Sequence, residues 1–325
     1  MTGVHPGDAR VVDLLVQIGR WTGHTMVLPI AVFFPTGRCN SRCASCDWWQ
    51  TTAVDDLSVA EIDDMAAQLR ALGTRLMLFS GGEPLLRSDV FEAAHRCVSR
   101  GLRLHLHTSG LHLEKTAPEV ARYFSRVIVS LDGATEAQYQ RIRGVNGLAT
   151  LERGVARLRR LAPELPVVAR TTLHRLNFRD VSALVEHARA MALDGISFLA
   201  ADTVTSAFGR SAAGGAHADL ALAPCDVAEF AEVIEALLAT HADDVQSGFI
   251  LESPARLRRL PQYYAALAGL DAYPEVACNA PEVSIVIEAD GTVRPCFFHA
   301  PIGSLRQEPL QRLVHEQLTA FRRTW

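Results

Sequence analysis

From Leu28 to about Asp202, short apolar runs alternate with amphipathic stretches, the pattern of βα units built around a parallel sheet. The runs Leu28 to Phe34, Arg75 to Ser80, Arg103 to His107, Val127 to Leu131, Val167 to Thr172 and Ile196 to Ala200 predict strands. Between the first two, Ser58-Val59-Ala60-Glu61 is a capping box, so a helix starts there and ends before Gly73. Further helices are expected over Asp89 to Arg100, about Ala149 to Leu161, and Asp180 to Met191. The order predicts an α/β fold, a partial (β/α)6 barrel of parallel strands, with its chemistry where loops leave the C-terminal strand ends.

After Asp202 the pattern changes. Ser206 to Ala218 is rich in Gly, Ala and Ser and predicts a flexible linker, taken as 206–223. Helices follow over about Asp226 to His241 and Pro254 to Ala268. Val283 to Glu288 and Thr292 to Cys296 flank Asp290-Gly291, a β-hairpin signal, and Leu310 to Phe321 closes the chain as a helix. The expected organisation is an N-terminal extension over 1–27, a barrel over 28–205, the linker, and a small α+β extension over 224–325.

Composition narrows the function classes. Hydrophobic residues make up 49% of the 325, but no stretch reaches the roughly 18 uninterrupted apolar residues of a membrane helix. With 32 Lys+Arg against 36 Asp+Glu the net charge is −4, which gives no general attraction to nucleic acid. The first 27 residues carry Asp8, Arg10, Asp13 and Arg20 and lack the apolar centre of a signal peptide. A cytoplasmic location is expected, where clustered thiols bind metal or do redox chemistry rather than pair as disulfides.

Such a cluster follows the first strand. Cys39, Cys43 and Cys46 are spaced C-x3-C-x2-C, and three thiolates in so tight a loop can hold three irons of a [4Fe-4S] cubane. With no fourth cysteine nearby, one iron is left open to a small ligand. Structural zinc usually takes four protein ligands, and no His or Cys closes a second pair within the next 45 residues. At the end of strand two stands Gly81-Gly82-Glu83-Pro84, where two glycines permit close backbone approach and a carboxylate can accept from an ammonium group.

In this order the two segments resemble the radical S-adenosylmethionine (SAM) superfamily. The resemblance implies that Cys39, Cys43 and Cys46 ligate a [4Fe-4S] cluster, that SAM occupies the open iron, and that Gly81, Gly82 and Glu83 hold the methionine amine. His107-Thr108-Ser109-Gly110 is similar to the family's Thr-Asn-Gly, with Ser109 in the site. Val129 to Gly133 is similar to its Ser-x-Asp-Gly, which gives Ser130 and Asp132 a role at the ribose or the amine. Arg141 to Gly144 resembles its Arg-x-Arg-Gly, with Arg143 facing the SAM carboxylate. Ser45 departs from the usual aromatic residue before the last cysteine, and Trp48 and Trp49 lie close enough in sequence to offer a stacking surface instead.

Four cysteines remain. Cys97 lies on the apolar face of a predicted helix and is expected in the core. Cys278 and Cys296 bracket the hairpin as C-x12-G-x4-C, which resembles the opening of a SPASM or shorter twitch extension and implies an auxiliary iron-sulfur cluster; the later cysteines of a full SPASM domain are absent. Cys225 could complete that cluster or return a hydrogen atom to a substrate radical, and these roles separate dehydrogenation from epimerisation.

Arg170, Thr172 and His174 alternate along strand five, which predicts a polar face suited to a sugar, aminocyclitol or aminoglycoside. The expectation is radical hydrogen abstraction from a small polar metabolite, with a flavodoxin- or ferredoxin-type protein as electron donor. Peptide modification is the alternative, and a non-catalytic iron-sulfur carrier or sensor a distant one.

Overall fold

The computed structural model describes residues 6–51, 55–205, 207–210, 217–276 and 278–324. In chain order the regular elements are α1 (Pro6–Thr22), β1 (Ile30–Phe33), α2 (Val59–Ala71), β2 (Leu76–Phe79), α3 (Val90–Ser99), β3 (Arg103–Thr108), α4 (Leu113–Tyr123), β4 (Arg126–Ser130), α5 (Glu136–Arg143), α6 (Leu148–Leu161), β5 (Val167–Leu173), α7 (Val181–Ala190) and β6 (Gly195–Ala200). There follow α8 (Pro224–Thr240), α9 (Ala242–Gln246), α10 (Pro254–Leu267), α11 (Ala280–Val283), β7 (Ser284–Ile287), β8 (Thr292–Arg294), β9 (Gly303–Ser304), α12 (Leu310–Arg312) and α13 (Thr319–Thr324). All the expected strands form, in a mostly parallel α/β fold whose C-terminal strands are antiparallel.

The chain divides into two compact units: residues 1–37, 52–106 and 277–325, and residues 38–51 and 107–276. In the first unit β1 is central, parallel to β2 on one side and to β7 on the other, with Ile30 opposite both Leu76 and Ser284. The predicted hairpin is present: β7 and β8 pair antiparallel across Gly291, whose φ of +88° suits glycine. Its first strand also extends the parallel sheet, a long-range pairing with no local sequence signal. Phe33 meets Phe79 edge to face at 5.5 Å, and Ile62, Met65 and Leu69 of α2 are buried. The capping box forms as expected, Glu61 N–H donating to Ser58 Oγ and Ser58 N–H to Glu61 Oε2. Cys97 is fully buried, its Sγ 3.9 Å from Met77 Sδ.

In the second unit β4, β5 and β6 are parallel, in a register that sets Ser130 opposite Arg170 and Arg170 opposite Ser197. Val167, Ala169, Thr171 and Leu173 are fully buried on one face of β5, so Arg170 and Thr172 project from the other.

Five helices go beyond those predicted, among them the short α9 and α11. α1 was not expected because Gly7 and Gly19 weaken its propensity. α4 carries Pro118 in its interior, which breaks the local signal while its buried Leu113, Ala117 and Val120 still hold it to the core. α5 is only 8 residues long, started by the Thr135 hydroxyl cap. The expected closing helix runs through a π-helical turn over Leu313–Leu318 between α12 and α13. Of the predicted linker, residues 206 and 211–216 lie outside those described.

Candidate functional site

The cysteine loop belongs to the second unit and is fastened on two sides. On one side the end of α5 holds it: Arg42 N–H donates to Arg143 O and Ala44 N–H to Ile142 O, both at 2.8 Å. Gly144 ends α5 in the left-handed region at φ +69°, and a Cβ there would stand 2.5 Å from Arg42 O. Only glycine allows this approach. Ser109 Oγ donates to Asn40 Oδ1 at 3.2 Å, so the segment after β3 also reaches the loop.

On the other side lie residues 202–205 and 207–210. Arg210, almost fully buried, donates to Asp202 Oδ2 at 2.7 Å and to Ser45 O at 2.9 Å. Phe208 O accepts from Asp47 N–H at 2.9 Å, with Cys46 Sγ 3.6 Å away, while Phe208 itself adopts φ +62°, costly for a residue with a bulky side chain. Burial alone would raise the Asp202 carboxyl, but the Thr205 hydroxyl, the Val204 and Thr205 amides and Arg210 outweigh it and hold the carboxyl below its ordinary range. Arg210 and Asp202 were not singled out from the sequence, since one arginine in a stretch of small residues carries no periodic signal.

The thiols are partly sheltered and electrostatically linked. Burial first, then the neighbouring Cys43, and in smaller part Cys39, push the Cys46 thiol up to about 12. Burial likewise raises Cys43, against the pull of Arg143. A buried thiol whose ionisation the neighbouring thiols oppose belongs to a donor set that a cationic cluster relieves, releasing protons as it binds. Among the described residues no three His, Cys, Asp or Glu form a single-ion site, and a cluster that gives each thiolate its own iron does not ask for one. The donor set therefore fits a [4Fe-4S] cluster.

Behind the loop Arg143 Nη1 donates to Asp132 Oδ2 at 3.0 Å, and Asp132 Oδ1 accepts from Thr172 N–H at 2.8 Å. Asn177 Nδ2 donates to Asp132 O at 3.0 Å and Thr172 O at 3.1 Å, which secures the end of β4 against that of β5. Asp132 thus sets the position of Arg143. His107, projecting from β3, lies within the fields of Arg170 and Arg143; burial foremost, then those charges, lower it to about 3, so it is neutral.

His174 departs from the expected face. β5 ends at Leu173, the period of two ends with it, and His174 turns into the core, fully buried, where its Nδ1 accepts from Leu176 N–H at 3.1 Å.

In the first unit Gly81 takes φ +94°, with Phe34 Cβ only 2.6 Å from where its own Cβ would be. Gly82 N–H donates to Thr36 O at 3.2 Å, and the buried Glu83 accepts from Leu85 N–H at 3.0 Å, which fixes its carboxylate. Cys296 is buried and Cys278 exposed, and Cys278 contributes to the rise of the Cys296 thiol that burial chiefly causes. Cys225, exposed in the first turn of α8, belongs to the second unit.

Comparison with known proteins agrees with this geometry. Residues 33–188 match the radical SAM superfamily and residues 278–324 the SPASM iron-sulfur cluster-binding domain. The AdoMet-dependent heme synthase of Methanosarcina barkeri is 31% identical over 161 residues, 48% of this chain and 46% of that one. The GTP 3′,8-cyclase of Nitrobacter winogradskyi is 27% identical over 301 residues, 87% of this chain and 82% of that one. Against the heme synthase and the Fe-coproporphyrin III synthase of the same archaeon, the match spans less than half of the relative's length. Among solved structures, Streptococcus suis SuiB bound to precursor peptide SuiA aligns over 100% of this chain and 73% of its own at TM-score 0.69 and 13% identity. Native anSMEcpe with bound AdoMet aligns over 90% of this chain and 82% of its own at TM-score 0.67 and 17% identity, and both likenesses establish the fold. Residues 33–188 therefore form a radical SAM domain, with a [4Fe-4S] cluster and SAM as its cofactors, and residues 278–324 a short SPASM-like iron-sulfur extension.

Proposed function

We propose that this enzyme abstracts a hydrogen atom from a small polar metabolite, with dehydrogenation or epimerisation as the outcome. The observation that carries the reading is the polar face of β4 to β6, where Ser130, Arg170, Thr172 and Ser197 stand in register beside the segment that positions Arg143. Bound together, cluster and SAM supply a 5′-deoxyadenosyl radical when given one electron.

The chain's own residues orient and shield. In this reading Cys39, Cys43 and Cys46 hold the cluster, and Gly81, Gly82 and Glu83 present backbone and a fixed carboxylate to the methionine amine. Ser109, Ser130 and Arg143 meet the remainder of SAM, and Asp132 keeps Arg143 in place through the 3.0 Å pair. A flavodoxin- or ferredoxin-type protein provides the electron. Cys278 and Cys296 bind the auxiliary cluster, and Cys225 serves either as a further ligand or as a hydrogen donor.

A small-molecule substrate is supported by the polar lining and by relatives whose names state GTP and heme chemistry. The experiment is isotopic: deuterated polar metabolites are incubated with the reconstituted enzyme, SAM and reductant. Deuterium is expected in 5′-deoxyadenosine. Transfer from peptides, and from no metabolite, would replace this reading by peptide modification.

A further inference from the structure

We propose that Arg170 is an anion subsite, receiving a carboxylate or phosphate group of the substrate on the polar face of β5. The inference rests on the reading above and adds to it the charge of the substrate.

Arg170 is half-buried, and its Nε is sealed from solvent with no acceptor. Among the described residues its side chain has no hydrogen bond or ion pair, unlike those of Arg143 and Arg210, each of which is held by a carboxylate. A guanidinium N–H withdrawn from water with no acceptor is costly, and such groups in folded proteins have partners. The candidate within the fold is Glu252, whose field reaches Arg170. Its two oxygens are turned elsewhere: Oε1 accepts from Ser197 Oγ at 2.7 Å and Oε2 from Phe198 N–H at 2.9 Å. Glu252 is thereby fixed to β6, leaving the planar donor fork of Arg170 uncapped.

The surroundings favour an incoming anion. Register sets Ser130 and Ser197 on either side of Arg170, about 4.8 Å away across the strands, so polar residues neighbour it on both strands. His107 is neutral and places no second positive charge beside Arg170. The opposite face of β5 is sealed against the core, so the ligand can approach from one direction only. A guanidinium fork matches the paired oxygens of a carboxylate or phosphate. Ser130, in the segment proposed to meet SAM, is the register partner of Arg170, so an anion held here lies beside the radical source.

The test uses reconstituted full-length protein with malonate and pyrophosphate as probes. The 15N signal of Arg170 Nε–H is assigned by its loss in Arg170→Lys and followed on titration. A saturable shift that persists under saturating SAM is expected, and Arg170→Gln should bind the probe ~10-fold or more weakly. Tighter pyrophosphate binding assigns a phosphate, tighter malonate binding a carboxylate. A signal that neither anion moves, or equal binding by wild type and Arg170→Gln, overturns the subsite. Displacement of the anion by SAM also overturns it, because Arg170 would then serve the SAM carboxylate. Retained charge in Arg170→Lys gives a second variant, expected to bind more tightly than Arg170→Gln. Saturable binding by wild type that releases no 5′-deoxyadenosine would support the subsite and refute the proposed reaction.

Discussion

Arg143 Nη1 donates to Asp132 Oδ2 at 3.0 Å, with only 12% and 6% of the two side chains exposed, and the same arginine gives its backbone oxygen to Arg42 in the cysteine loop. One residue thus links the thiol loop to the end of β4. Asp132→Ala removes the counter-charge from a buried guanidinium and should cost about 3–5 kcal/mol in urea unfolding. A loss under about 1 kcal/mol would show that the pair is solvated and that Arg143 does not depend on it.

Gly144→Ala should impair the cluster without touching a ligand. The left-handed conformation costs an alanine about 1 kcal/mol, and its Cβ would strike Arg42 O, so the loop has to move. The expected result is reduced iron per chain after reconstitution together with a lower melting temperature. Full iron content would mean that the loop tolerates displacement.

The contacts that Asp202 and Arg210 make should be acid-labile. The Asp202 carboxyl is held below its ordinary range, so its contribution is complete above the unfolded carboxyl value near pH 4 and is lost as pH falls through the lower folded value. Arg210→Ala, which leaves Asp202 buried and Ser45 O without its donor, should cost about 3–5 kcal/mol at neutral pH. Its unfolding curve should also lose part of this acid dependence, the Thr205 hydroxyl and the Val204 and Thr205 amides retaining the rest. An unchanged profile would place the sensitivity elsewhere.

His174 provides a second pH effect at higher pH. Burial foremost lowers it to about 4, and its Nδ1 already accepts a hydrogen bond, so the folded chain keeps it neutral while the unfolded chain binds a proton below about 6.5. Stability therefore falls with pH through this window, by about 2–3 kcal/mol at pH 4.5. His174→Gln should flatten the dependence, and a slope that survives the substitution would exclude this histidine.

The extension predicts iron beyond the first site. When Cys39, Cys43 and Cys46 become Ala, bound iron should fall and an iron-sulfur absorption should remain, which a further Cys278→Ala substitution removes. Complete loss in the triple variant would leave one cluster in the molecule.

What could be read in advance follows the range of the physics. The strands from β1 to β6, the Ser58–Glu61 capping box and the Gly291 hairpin rest on interactions between residues close in sequence, and each was legible. The three cysteines and the glycine pair were legible as chemistry for the same reason. Pairing of β7 with β1 joins positions some 250 residues apart in the chain, and no local pattern encodes it. The Arg210 contact to Ser45 spans 165 positions and starts from a segment that composition marks only as flexible. His174 was placed on the strand face by a periodicity that the chain abandons at Leu173. Arg170 was legible as polar lining; that it has no partner depends on where Ser197 and Phe198 direct Glu252.

The central claim, that the loop of Cys39, Cys43 and Cys46 supports SAM cleavage, is tested most directly by 5′-deoxyadenosine. Anaerobically reconstituted protein, given SAM and a low-potential reductant, should release it, and the Cys43→Ala variant should release none. Absence of 5′-deoxyadenosine from the wild-type protein, under conditions that activate a control enzyme, would contradict the account.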